Sequence, residues 1–347
     1  MSVNKLLRYY KTSIFFSIVG LIVAYLIGYF YNGQINAGLT TLWECFVLAI
    51  LEISLSFDNA IVNARIVRDM DKKWQKRFLF IGIVIAVFGM RMLLPIIIVV
   101  LVLHKGLFSV VHMALYDPET YKQALEHSKL TLHIFGGSFL TLVALDFFFD
   151  KNKDVHWISF IEKRLVNLKY SWLFPFAINC ILVAIIFCVG YILGIWGSDV
   201  IYPFVISFAF ANITYYSIEL LSRNLNNYDS NSSGLKSFCY LEILDASFSF
   251  DGVLGAFALS DNFLIIALGL GIGAFYVRSM TLMLVHENTL AKVLYIEHGA
   301  FYAILFLAII MFVKLVEEVP DYVTGICSLL FIVLSIFCSR YIKRLDT

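Results

Sequence analysis

Two short stretches of this sequence place acids where chains rarely put them. Residues 51–64 read LEISLSFDNAIVNA and residues 244–257 read LDASFSFDGVLGAF, each within a long apolar run. Aligned on Ser-Phe-Asp, Asp58 meets Asp251, Ser56 meets Ser249 and Glu52 meets Asp245, so each copy is an acid, five residues, then Asp. An acid or arginine at the centre of a membrane-crossing helix costs about 2.5–3.5 kcal/mol on insertion scales, and such residues mark pathways and ligand sites. Arg91 and Arg278 fall in apolar runs as well. Carboxylates with neighbouring amide and hydroxyl oxygens (Ser54, Ser56, Asn59, Asn63, Ser247 and Ser249) suit hard cations such as Mn²⁺, Mg²⁺ or Ca²⁺. Neither motif contains a histidine, and Cys45 and Cys239 are too isolated for a thiolate site, which disfavours zinc and copper(I).

Charge gives two readings of these residues. Four ionised carboxylates (Glu52, Asp58, Asp245, Asp251) against Arg91 and Arg278 leave a deficit that a divalent cation would complete. Alternatively, Arg91 and Arg278 neutralise the acids in structural ion pairs between helices. Glu242, three residues before Asp245 and on the same helix face, is a vestibule acid or an interfacial residue. Residues six apart on an ideal helix lie about 120° apart in angle and about 9 Å along the axis. Glu52 and Asp58 therefore share an ion only if their helix is broken between them. If the two copies cross the membrane in opposite directions, Glu52 is level with Asp251 and Asp58 with Asp245. Gly252 either permits an unwound segment or serves close helix packing.

The elements that hold these residues are membrane helices. Of 347 residues, 61% are hydrophobic and 15% charged, and the mean hydropathy is +0.85, against about 45–50% apolar and 25% charged in soluble domains. That excludes a soluble enzyme, a nucleic-acid binder and a disordered scaffold. Ten spans are predicted, at 12–31, 40–64, 78–103, 130–149, 173–194, 200–221, 238–259, 263–285, 298–316 and 322–341. The first is taken as a helix rather than a signal peptide, because its apolar run is long and no small-residue cleavage site follows. With the N-terminus inside, and with Lys314 and Arg340 at the ends of their spans counted with the adjoining segments, cytoplasmic segments hold 20 Lys and Arg against 4 outside, and Arg91 and Arg278 complete the 26. This obeys the positive-inside rule and puts both termini in the cytoplasm. The expected fold class is an all-α polytopic membrane protein of about ten transmembrane helices. It divides as a 5+5 inverted-topology repeat, a first half at 1–195 and a second at 196–347, with the acidic motif on the second helix of each half.

Outside the spans, Asp117-Pro118-Glu119-Thr120 predicts the start of a short surface helix in the external segment 104–129. His104, His112, His127 and His133 lie in or near it, as a solvated loop or a metal-collecting cluster. Residues 222–237 have the composition of a flexible linker. The six cysteines read as small buried residues.

At the acidic motifs the sequence resembles the TerC family of integral membrane proteins, associated with tellurium resistance and manganese export. Glu52, Leu55-Ser56-Phe57-Asp58-Asn59 is similar to that family's first acidic motif, and Asp245, Phe248-Ser249-Phe250-Asp251 to its second. Arg91 is similar to the arginine on the following helix, and Tyr295-Ile296-Glu297-His298-Gly299 resembles a late-chain motif. Gly252 stands where that family usually has Ser, and this chain has more spans. The resemblance spans roughly residues 40–320. It implies transport, in the direction of export, of a divalent metal, manganese foremost, as substrate rather than cofactor. The implied metal site is Glu52, Asp58, Asp245 and Asp251, with Asn59, Ser56 and Ser249 as further ligands. Arg91 and Arg278 balance charge, and Glu242 is a vestibule acid.

A bacterial-type cytoplasmic membrane, lipid contact, no nucleic acid and no enzymatic activity complete the expectation; association with a second copy stays open. An intramembrane aspartyl hydrolase is disfavoured because Gly271-Ile272-Gly273 is followed by Ala274 and not by an acid. The other alternative is a metal sensor or partner in a stress or tellurite response, which uses the same acids without transport.

Overall fold

The computed structural model describes the backbone of residues 3–151, 153, 155–168, 173–197, 200–225, 230–257, 259–317 and 319–345. In chain order the first helices are α1 (Val3–Asn32), α2 (Ile35–Leu55), α3 (Phe57–Arg68) and α4 (Lys72–Val84). A π-helical segment (Ile85–Leu93) leads into α5 (Leu94–Leu103), α6 (Leu107–Tyr116), α7 (Pro118–Phe148) and α8 (Ser159–Leu168). Then come α9 (Leu173–Ile192), α10 (Ile201–Leu225), α11 (Ser230–Ala256), α12 (Phe263–His286), α13 (Thr289–Lys292), α14 (Ile296–Val313) and α15 (Asp321–Leu345). The described residues contain no strand.

Among them, nine helical stretches are long and apolar enough to cross a bilayer, with α4, the π segment and α5 forming one crossing from Lys72 to Leu101. Large apolar side chains cover the outside, including Phe15, Phe30, Ile192 and Phe337. Such a surface needs lipid as its solvent. The chain is an all-α polytopic membrane protein. The nine stretches match nine of the ten expected spans. The exception, 238–259, is part of the 27-residue helix α11, whose Glu242, Asp245 and Asp251 lower its apolar content.

The chain packs as two compact units, residues 1–128 with 241–287 and residues 129–240 with 288–347. These follow packing and interleave the sequence, so neither coincides with the repeat halves divided at 195/196.

In the first unit, α12 is the central helix and packs against α1, α2, α3 and the π segment. Ser13 on α1 donates to the Phe275 carbonyl at 2.8 Å and lies 2.7 Å from the Ser279 hydroxyl, while Phe16 stacks on Phe275. Gly269 and Gly273, one turn apart on α12, let α2 approach closely, the small-residue device of membrane helices. A Cβ at Gly269 would stand 2.6 Å from Leu48 Cβ, and one at Gly273 2.5 Å from Glu52 Cβ. Asn262 caps α12, accepting from the backbone N–H of Leu264 and Ile265.

In the second unit, Asn179 on α9 donates to Asn212 on α10 at 3.4 Å, and α14 packs on α15. Gly299 leaves no room for a Cβ, which would meet Ser335 Oγ at 2.5 Å. Beside them Glu162, fully buried on α8, accepts from Lys153 Nζ (2.9 Å), the Ile158 N–H (3.1 Å) and the Tyr302 hydroxyl (3.2 Å), with His298 Nε2 at 3.3 Å. Burial alone would raise this carboxyl, but the His298 and Lys153 donors and the Ile158 amide outweigh it and hold the group at about 2. The Tyr295–Gly299 motif thus supplies packing and the His298 imidazole here.

Three local expectations are corrected. Asp117 does cap a helix start, its Oδ1 3.3 Å from the Thr120 N–H, but that helix is α7, which runs without interruption to Phe148 instead of forming a short surface helix. The segment 222–237 is largely helical, as the end of α10 and the start of α11, with 226–229 outside the described residues. Cys188 and Cys239 are exposed, as thiols tolerate on a lipid-facing surface. The histidines do not gather: no three His, Cys, Asp or Glu side chains form a metal-holding group among the described residues.

Candidate functional site

The first acidic motif lies on a broken helix. α2 ends at Leu55, Ser56 adopts φ −101° and ψ 19°, and α3 restarts at Phe57. The break separates Glu52 from Asp58 and puts Asp58 in the first turn of α3, where the positive end of the helix dipole favours a carboxylate. Asp58 Oδ1 accepts the Asn59 N–H at 3.0 Å. Irregular backbone is tolerated at membrane depth where protein encloses it, and Ser56, Asp58 and Asn59 are all buried. The second motif behaves differently. α11 passes through Ser249, Asp251 and Gly252 unbroken to Ala256, so Gly252 serves packing, not unwinding. A Cβ there would sit 3.1 Å from Glu52 Oε2. The first-copy acid and the residue after Asp251 therefore meet at one level. The Asp251 side chain itself lies outside the described residues.

Glu52, Ser56 and Asn59 from α2–α3, Asp245 and Ser249 from α11, and Arg91 and Arg278 line one small cavity, closed by Ala86, Ala274 and Val277. Its free volume is about 10 Å³, enough for the centre of one water-sized sphere. Two charged layers meet there. In the first, Glu52 Oε1 accepts from Arg91 Nη2 and from the Ser56 hydroxyl at 3.0 Å. In the second, Arg278 lies 3.2 Å from Glu242 and 3.6 Å from Asp245, donates to the Gly82 carbonyl at 3.1 Å, and stacks over Phe78 at 3.7 Å. Gly273 touches the first layer and Arg278 belongs to the second, five residues or about 7.5 Å along α12.

Seven sequence-selected residues thus share the cavity, and Glu242 adjoins it through Arg278. Asp58 is buried but is not among the residues that line the cavity. The helix break turns Asp58 into the start of α3, while Arg278 holds Asp245. Ser54 and Ser247 donate back to the Ile50 and Ile243 carbonyls of their own helices and are not part of the lining. Ser249 Oγ and Asn59 Oδ1 are buried and find no hydrogen-bond partner among the described residues; nor do both amide atoms of Asn63, one turn beyond Asn59. The three oxygens are free to serve a ligand or water, and Asn63 Nδ2 is a free N–H donor. The arginine pairs also match the structural ion-pair reading.

Sequence reasoning missed Gly82 and Gly273. A Cβ at Gly82 would stand 2.9 Å from Glu242 Oε1 and 3.0 Å from Arg278 Nη2. The Gly-x-x-x-Gly spacing of 269 and 273 carried the second signal. Position 82 carried none, because its role is a tertiary approach.

The fold and this cavity define a polytopic membrane protein with charged residues enclosed among its helices. Over residues 57–346 the chain matches the family described as protein of unknown function (DUF475), and it belongs to that family. The matched stretch contains Asp58, Arg91, Asp245, Asp251 and Arg278 and starts just after Glu52. No curated protein and no solved structure matches the chain.

Proposed function

We propose that this protein is a membrane transporter of a divalent metal cation, acting as an exporter with Mn²⁺ as the leading substrate. One observation carries the reading. A helix broken between two acids meets a second acidic helix around a cavity of single-ion size, lined by buried oxygens without partners. Broken helices at a membrane site are the means by which many transporters expose backbone and side-chain oxygens to ions. Glu52, Asp245, Asn59, Ser56 and Ser249 are the candidate ligands at the cavity, with Asp58 and Asp251 adjacent in sequence. Oxygen-only donors favour a hard cation. The TerC resemblance supplies manganese and the direction. The positive-inside count supports the cytoplasmic membrane with both termini inside. No hydrolytic role is assigned.

The test is metal flux into proteoliposomes with Mn²⁺, Mg²⁺, Ca²⁺ and Zn²⁺, for the wild type and Asp58→Asn. Selective Mn²⁺ flux lost in the variant supports the proposal. A second reading, a metal sensor or stress-response partner without transport, is favoured by the arginine already on each acidic layer. Binding without flux would select it.

A further inference from the structure

Arg91 is held in a way that a purely structural ion pair does not require. Its Nη2 donates to Glu52 Oε1, and both side chains are almost wholly buried. Its Nη1 donates to the Ala86 carbonyl of its own helix at 2.7 Å, and its Nε finds no partner among the described residues. A guanidinium has five donors, and a buried one held only for stability has them satisfied.

The backbone beneath it is also unusual. Arg91 stands in the nine-residue π segment Ile85–Leu93, four residues before Pro95, which has no N–H to offer the Arg91 carbonyl. π segments are rare, are frequent at functional sites, and take up one extra residue where their hydrogen bonds run from i to i+5. Moving that extra residue along the helix rotates the side chains it passes by about 100°.

We infer that Arg91 is an internal competitor for the cation, seated on the Glu52 carboxylate until a doubly charged ion displaces it. This rests on reading the cavity as a cation site. The charge logic sets the ligand class. A monovalent ion replacing the guanidinium brings no additional charge and forfeits its hydrogen bonds. A divalent ion brings one further charge and reaches Glu52, Asp245, Ser249 Oγ and Asn59 Oδ1 around the same small space. Displaced, Arg91 retains its bond to Ala86 and turns with the π segment. Arg91 is therefore the residue that sets selectivity for divalent over monovalent cations.

The experiment titrates Mn²⁺ into the full chain in lipid nanodiscs, with and without excess Na⁺, reading free Mn²⁺ by electron paramagnetic resonance. Variants are Arg91→Gln and Arg91→Lys, both checked for helical content and elution. Arg91→Gln is expected to bind Mn²⁺ about tenfold tighter or more, within the range of ordinary site couplings, and to become sensitive to Na⁺. Arg91→Lys, a shorter competitor with the same charge, is expected to be tighter by several-fold. Equal or weaker Mn²⁺ binding in the folded variants, with binding to the wild type intact, overturns the inference and leaves the cation site standing. No binding to the wild type or to either variant sinks the cation site and this inference with it. If Arg91→Gln does not fold, the direction of the Arg91→Lys titration decides alone.

Discussion

Gly273→Ala tests the packing on which the cavity depends. The added Cβ would lie 2.3 Å from Glu52 Cγ and 2.5 Å from Glu52 Cβ. A rotamer change relieves the first contact but not the second, because a Cβ is fixed by its backbone. Carbon atoms pack at about 3.5–4.0 Å, so α2 and α12 must separate by about 1 Å. Overpacking of this kind costs about 1–3 kcal/mol. If the shift also parts Glu52 from Arg91, losing a buried partner adds up to about 3–5 kcal/mol. The assay is thermal unfolding of the purified protein in detergent, with Gly106→Ala as the control. A Cβ at Gly106 meets nothing within 4 Å, so that variant should melt within about 0.5 kcal/mol of wild type. Gly273→Ala should melt well below both and bind Mn²⁺ more weakly. If it melts with the control, α2 and α12 do not approach at Glu52, and the cavity geometry is wrong.

Three further outcomes are expected. Gly82→Ala crowds the far ends of Glu242 and Arg278, which can shift, so a loss of about 1 kcal/mol in unfolding free energy is expected; a loss above 4 kcal/mol would mean that the backbone there cannot yield. Glu162→Gln removes a carboxyl lowered from 4.5 to about 2, a depression corresponding to about 3 kcal/mol. Because the folded-state value is depressed, this stabilisation is complete above about pH 5 and fades as pH falls from 4.5 toward 2. The stability gap between wild type and variant, followed by chemical denaturation in detergent from pH 7 to pH 3, should narrow, and a constant gap would contradict the assignment. Ser249→Ala should weaken Mn²⁺ binding in the nanodisc titration about tenfold while leaving the melting temperature nearly unchanged, since its Oγ has no partner to lose, and Asn59→Ala should weaken binding by a similar factor; unchanged affinity in both would exclude these oxygens as ligands.

Much of this architecture follows from residue types alone. Apolar runs long enough to span a bilayer specify membrane helices wherever they occur in the chain, because hydrocarbon leaves the backbone no other way to satisfy its own groups. The paired Ser-Phe-Asp motifs and the two arginines were visible for the same reason: charge inside an apolar run is costly and therefore conspicuous. Local capping was legible too, since Asp117-Pro118 does start a helix, although nothing local says that the helix continues for 31 residues.

What the sequence leaves open is which charges meet and at what level, and tertiary packing decided it. On an ideal helix Glu52 and Asp58 would stand about 9 Å apart along the axis; the first motif breaks at Ser56, whereas α11, with a related sequence, does not. Arg91 faces Glu52 through a π segment, and Arg278 joins Glu242 to Asp245. Gly273 and Gly82 matter only because another helix arrives where a Cβ would have been. Helical periodicity assigns each residue a face, but the partner on that face is set by how whole helices pack.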